Sequence, residues 1–141
     1  MVSDQLSGES KAAMAGNVDD LVVFRRAYAL SLDVHRASLA WPRIEQYGGI
    51  ADQLRRSSKS VCAALMEGAG RLPRSRPEFV RYLVMALASA DEARLWCRYA
   101  EDLGYVTAEQ GEVWRDAYEQ IARMLQGLLS RQRTQPLSSD H

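Results

Sequence analysis

The sequence predicts an all-α protein, an antiparallel up-down four-helix bundle. Three observations carry the bundle. Apolar residues recur at spacings of three and four through four separate segments. The third and fourth segments open on capping boxes. No segment alternates apolar and polar residues as a half-buried strand does, and the loops are short, which favours an up-down order. The 141 residues amount to one domain. Residues 1–18 and 132–141 are polar and aperiodic and are expected to be disordered tails around a bundle at 19–131.

The first helix is expected from Asp19 or Asp20 to Ala40, with the aspartates at its N-cap and positive dipole end. Leu21, Phe24, Tyr28, Leu32, His35 and Leu39 would form its inner face, and Pro42 would stop it. Ile44 to Gly49 makes a connector that turns at Gly48-Gly49. The second helix starts at Ile50 and ends between Gly68 and Arg71. Its inner face is Ile50, Leu54, Ser57, Val61, Leu65 and Gly68, and small residues along it allow close approach of a neighbour. Gly68 and Gly70 mark its end, where Glu67 is expected to pair with Arg55, Arg56 or Arg71.

Ser75-Arg76-Pro77-Glu78 opens the third helix: Ser75 is the N-cap, Glu78 sits three residues on, and Pro77 lies in the first turn where its missing donor costs little. Phe79, Tyr82, Leu83, Ala86, Ala90, Ala93, Cys97, Ala100 and Leu103 keep the period, and Gly104 suits the C-terminal cap. Thr107-Ala108-Glu109-Gln110 opens the fourth helix. Trp114, Tyr118, Ile121, Leu125 and Leu128 follow at four, three, four and three, an a/d seam that fades near Arg131.

Chemistry is sparse. Two His and two Cys argue against a His/Cys metal site, and no cofactor is expected. Neither histidine has the Glu three residues before it that a di-iron bundle needs. The arginine-then-histidine pair of all-helical nucleases is missing, and Asp91-Glu92 has no matching acidic cluster for magnesium. Gly68-Ala69-Gly70-Arg71 lacks the ending of a phosphate loop. His35 is expected to be a satisfied core or interface residue. With no C-x-x-C pair, no signal peptide and no transmembrane run, Cys62 and Cys97 are expected to be reduced thiols of a cytoplasmic protein without membrane contact.

Net charge is zero, and all but two of the 18 basic residues are arginine. The charge is unevenly placed. Leu54–Arg81 holds seven basic residues (Arg55, Arg56, Lys59, Arg71, Arg74, Arg76, Arg81) against Glu67 and Glu78, net +5. Asp91–Glu119 holds eight acidic residues against three basic, net −5. A face for RNA, complementary charge between subunits, and ordinary solvated helix faces all produce such a division. Aromatic residues are not interleaved with the basic ones, which favours the subunit reading. Arg55, Arg56, Lys59, Arg71, Arg74 and Arg76 are the candidate contacts to nucleic acid or a neighbouring subunit.

Gln53-Leu54-Arg55-Arg56-Ser57-Ser58-Lys59-Ser60-Val61, followed by Met66-Glu67-Gly68-Ala69-Gly70-Arg71, resembles the bacterial four-helix bundle proteins encoded in 23S rRNA intervening sequences. Leu21-Val22-Val23-Phe24 with Ala27, Trp41-Pro42, Glu45-x-Tyr47-Gly48, Glu78-Phe79 with Tyr82-Leu83, and Leu103-Gly104-Tyr105 are similar to the same family's flanking motifs. The resemblance covers about residues 20–130. Cys62 and Ala64 stand where the family has Pro and Asn, so a straighter second helix is expected. The resemblance implies a homopentameric ring without known enzymatic activity and an RNA-associated or adaptor role. A related branch, the accessory proteins of diversity-generating retroelements, binds reverse transcriptase and nucleic acid; its members tend to be strongly basic, which this chain is not.

Overall fold

The computed structural model describes Gly8 and residues 18–134, and the remaining tail positions lie outside the described residues. Among residues 18–134 the fold is made of four helices: α1 (Val22–Ser38), α2 (Ile50–Arg71), α3 (Arg76–Asp102) and α4 (Ala108–Thr134). Short 3₁₀ turns, Val18–Asp20 and Arg43–Glu45, precede α1 and α2, and there is no strand among the described residues. The most extensive packing is between α2 and α3, then α3 and α4, then α1 and α2, with α1 and α4 meeting less than these. Contacts between α2 and α3 run in opposite order along the chain. Ser60 Oγ lies 2.9 Å from Ser89 Oγ, while Gly68 meets Phe79 and Tyr82.

The N-cap half of each capping box forms, while the Ser75 amide goes to the Arg71 carbonyl and not back to Glu78. Ser75 Oγ accepts the Glu78 amide at 3.2 Å, and Thr107 Oγ1 accepts the Gln110 amide at 3.0 Å. α3 ends in a Schellman motif: the Tyr105 amide reaches the Ala100 carbonyl at 2.8 Å and the Gly104 amide the Glu101 carbonyl at 3.0 Å. Gly104 takes φ +79°, a conformation that favours glycine. Each cap contributes about 1 kcal/mol, whereas burying a Leu, Ile or Phe side chain contributes about 1.5–3 kcal/mol. The a/d seam of α4 therefore weighs more than its cap, and Trp114, Tyr118, Ile121, Leu125 and Leu128 are all buried against the core. α4 continues three residues beyond Arg131, with Gln132 buried.

Two expectations for α1 are corrected. The aspartates do not cap it: Asp19 and Asp20 lie in the preceding 3₁₀ turn, the N-cap is Leu21, and no side chain caps it. Its buried face is also different. Val23, Ala27, Leu30, Ser31, Val34 and Ser38 join Phe24 in the interior, while Tyr28 and Leu39 are exposed and Leu32 and His35 half-buried. The interior face is turned by roughly 100°, one residue's rotation, from the stripe of large residues. The buried positions 27, 31 and 38 carry small side chains, and Tyr28 and Leu39 of the larger apolar stripe are left at the surface.

α2 runs unbroken through Cys62 and Ala64. No described helix is long and apolar enough to cross a membrane.

Candidate functional site

The six basic candidates fall into two groups on α2 and its following turn. Lys59 and Arg71 are twelve residues apart, roughly 18 Å along a helix, so one compact cluster is not formed.

The first group is largely engaged within the chain. Arg55 is half-buried; its guanidinium donates to Ser38 Oγ at 2.7 Å, Gln46 Oε1 at 3.0 Å and the Gln46 carbonyl at 3.3 Å. It thus ties α2 to the end of α1 and to the connector. Arg56 Nε pairs with Asp52 Oδ1 at 3.0 Å one turn back, and the Arg56 side chain is exposed. Lys59 Nζ lies 2.9 Å from His35 Nδ1. An ammonium can only donate, so Nδ1 accepts and the ring is neutral. Burial, then the charges of Lys59, Arg55 and Arg36, hold the His35 pKa below its ordinary value. Burial, then Arg55, lowers that of Lys59. His35 is therefore a surface partner of α2 and not a core residue. With Tyr28, Ser31, Leu32, Lys59 and Cys62 it lines a groove of about 380 Å³ between α1 and α2.

The second group marks one end of the bundle. Arg71 reaches Glu67 and Glu78, each at 3.5 Å, so Glu67 takes the last of its three expected partners. Arg74 is exposed in the turn, and Arg76 is half-buried at the start of α3. Arg81, not among the candidates, belongs with them: it pairs with Glu78 at 3.1 Å. The Arg81 and Arg71 guanidiniums lie 4.8 and 5.6 Å from the Tyr82 ring centroid. The missed signal was Tyr82 one residue beyond Arg81: this end does join an aromatic ring to cations.

The motif glycines differ. A Cβ on Gly68 would come within 2.9 Å of Tyr82 Cβ and 3.4 Å of Phe79 Cδ1, so the glycine permits the close α2–α3 crossing. A Cβ on Gly70 would meet open space.

The acidic region is partly internal. Glu101 accepts from Arg115 at 2.8 Å across α3 and α4. Burial pushes the Cys62 thiol up to about 11 and the Cys97 thiol up to about 12. Such thiols are protonated near neutrality and are poor nucleophiles. Among the described residues no group of three or more His, Cys, Asp or Glu side chains could hold a metal ion.

Comparison with known proteins places this arrangement. The chain is similar to a solved Bacteroides thetaiotaomicron protein of unknown function from the S23 ribosomal protein family, at 22% identity and TM-score 0.68, covering 77% of this chain and 96% of that one. That likeness concerns the fold. No curated protein matches. The family model described as 23S rRNA-intervening sequence protein matches residues 19–127, which take in α1, α2, α3 and most of α4. The chain belongs to the 23S rRNA-intervening sequence protein family.

Proposed function

We propose that this chain is a non-enzymatic adaptor: an antiparallel up-down bundle that assembles as a ring-shaped homo-oligomer, with five subunits as the resemblance implies, and associates with RNA in the cytoplasm. The reversed order of the α2–α3 contacts supports the antiparallel arrangement. The free Cys62 and Cys97 suit a reducing compartment. Their raised pKa values, and the engagement of His35 with Lys59, favour a binding role over nucleophilic chemistry.

One observation carries the RNA reading: the α2–α3 end presents Arg71 and Arg81 over the Tyr82 ring, with Arg74 exposed in the turn between the helices. Guanidiniums make bidentate phosphate contacts, and an aromatic ring offers a stacking surface to an unpaired base. The Arg55 group serves this role less well, because Arg55 is committed to Ser38 and Gln46.

Titration of a labelled single-stranded RNA at low and moderate salt tests the reading. Salt-sensitive binding is expected, reduced at least tenfold in the Arg74→Glu, Arg81→Glu double variant. Binding that ignores both salt and these residues contradicts it.

A further inference from the structure

Two apolar stripes lie outside the core on different helices, and they carry opposite charge. On α1, Tyr28 (52% exposed) and Leu39 (58% exposed) flank half-buried Leu32. Arg25, Arg36 and Lys59 stand exposed around them, and the groove beside Tyr28 and Leu32 is about 380 Å³. On α3, Leu95 (48%), Tyr99 (47%) and Leu103 (51%) repeat every four residues on the side opposite the buried Ala93, Cys97 and Ala100. Asp91, Glu92 and Asp102 surround that stripe, with Arg98 the one neighbouring cation along it. Trp96 packs on Tyr99 at 5.7 Å and donates to Glu92 at 3.0 Å, holding the aromatic edge in place.

We infer that the α3 stripe of one copy docks on the α1 stripe of the next, seating Leu95 and Tyr99 beside Tyr28 and Leu32. The inference rests on the oligomer reading above and names its two faces. Unlike faces make a heterologous, head-to-tail contact, the kind that propagates until it closes. Charge selects this pairing: cations ring the α1 stripe and acids ring the α3 stripe, so two copies of either stripe would repel. Three acids and one cation on the α3 face also account for part of the negative segment found in the sequence.

Complementation tests it. Tyr28→Ser with Leu39→Ser removes one face; Leu95→Ser with Tyr99→Ser removes the other. All four residues are surface positions outside the core. Native mass measurement of each double variant should give monomer, and mixing the two should give a two-subunit complex through the one intact pair of faces. A second test leaves the apolar residues in place. Arg36→Glu with Lys59→Glu should weaken assembly at least tenfold at low salt, and adding Glu92→Arg with Asp102→Arg in the same chain should restore it.

Assembly of either Ser variant at the wild-type size overturns the inference, whether residues 1–17 or another protein then cover the stripes. So does a mixture that stays monomeric, or a four-residue charge swap that fails to restore assembly. A monomeric wild-type chain overturns the oligomer reading itself.

Discussion

Tyr105 donates its hydroxyl to Glu45 Oε2 at 2.7 Å, joining the loop after α3 to the connector after α1 across 60 positions of sequence. The other oxygen of Glu45 accepts the Ile50 amide at 2.8 Å, so the same carboxylate caps α2. Trp41 lies beside Tyr105 at 5.7 Å and beside Trp114 at 6.4 Å. The family motifs around Trp41, Glu45 and Tyr105 thus converge on one structural joint.

This joint makes stability depend on pH. The Tyr105 hydrogen bond, then the Ile50 amide, holds the Glu45 pKa below its ordinary 4.5. A depressed carboxylate stabilises the fold above the unfolded-state value, and that contribution is lost as pH falls through the folded-state value. Tyr105 runs the other way: Glu45 raises its pKa, so its contribution is lost only in strong alkali. Tyr105→Phe and Glu45→Gln should each lower the melting temperature at pH 7. Tyr105→Phe should also flatten the decline between pH 5 and 3, as followed by circular dichroism. An acid limb as steep as wild type's would contradict the assignment.

The two motif glycines should respond with opposite signs. Gly68→Ala places a methyl 2.9 Å from Tyr82 Cβ and should cost about 1–3 kcal/mol. Gly70→Ala enters open space inside a helix and should stabilise by about 0.5–1 kcal/mol. Urea unfolding of both variants measures the difference.

Tyr118 is buried in the a/d seam, and its hydroxyl makes no well-formed hydrogen bond among the described residues. Burial raises its pKa, and a nearby Ser58 hydroxyl works weakly against that. Tyr118→Phe removes an under-satisfied polar atom and keeps the ring. It should leave stability unchanged or raise it by up to about 1 kcal/mol, a calorimetric shift of roughly +4 °C at most. A loss above 1 kcal/mol would show that the hydroxyl has a strong partner.

With both thiols pushed up, to about 11 for Cys62 and about 12 for Cys97, the folded chain should react slowly with a thiol-specific chromogenic reagent at pH 7. Cys97, fully buried, should react only on unfolding. Rapid labelling of either residue in native protein would point to an activated thiol and reopen an enzymatic role.

The helices were legible because their signals are local. Ser75 with Glu78, Thr107 with Gln110, Gly104, and the Trp114-to-Leu128 seam all act within a few residues of chain. The face of α1 was not legible, because the sequence carries two apolar stripes there. The large residues at 28, 32 and 39 outweigh Ala27, Ser31 and Ser38 in a periodicity argument, yet the fold buries the small ones. The basic site was half legible. Charge density identifies Arg55 and Arg71 equally, and only the fold shows that Ser38 and Gln46 engage the first while Tyr82 lies beneath the second.

The central claim is an RNA-associated homo-oligomer. Native mass measurement of protein purified without nuclease tests it most directly. The expected result is an integer multiple of the 15.8 kDa chain that carries RNA. Raised salt, or Arg74→Glu with Arg81→Glu, should release the RNA and leave the assembly intact. A 15.8 kDa monomer free of nucleic acid would contradict the account.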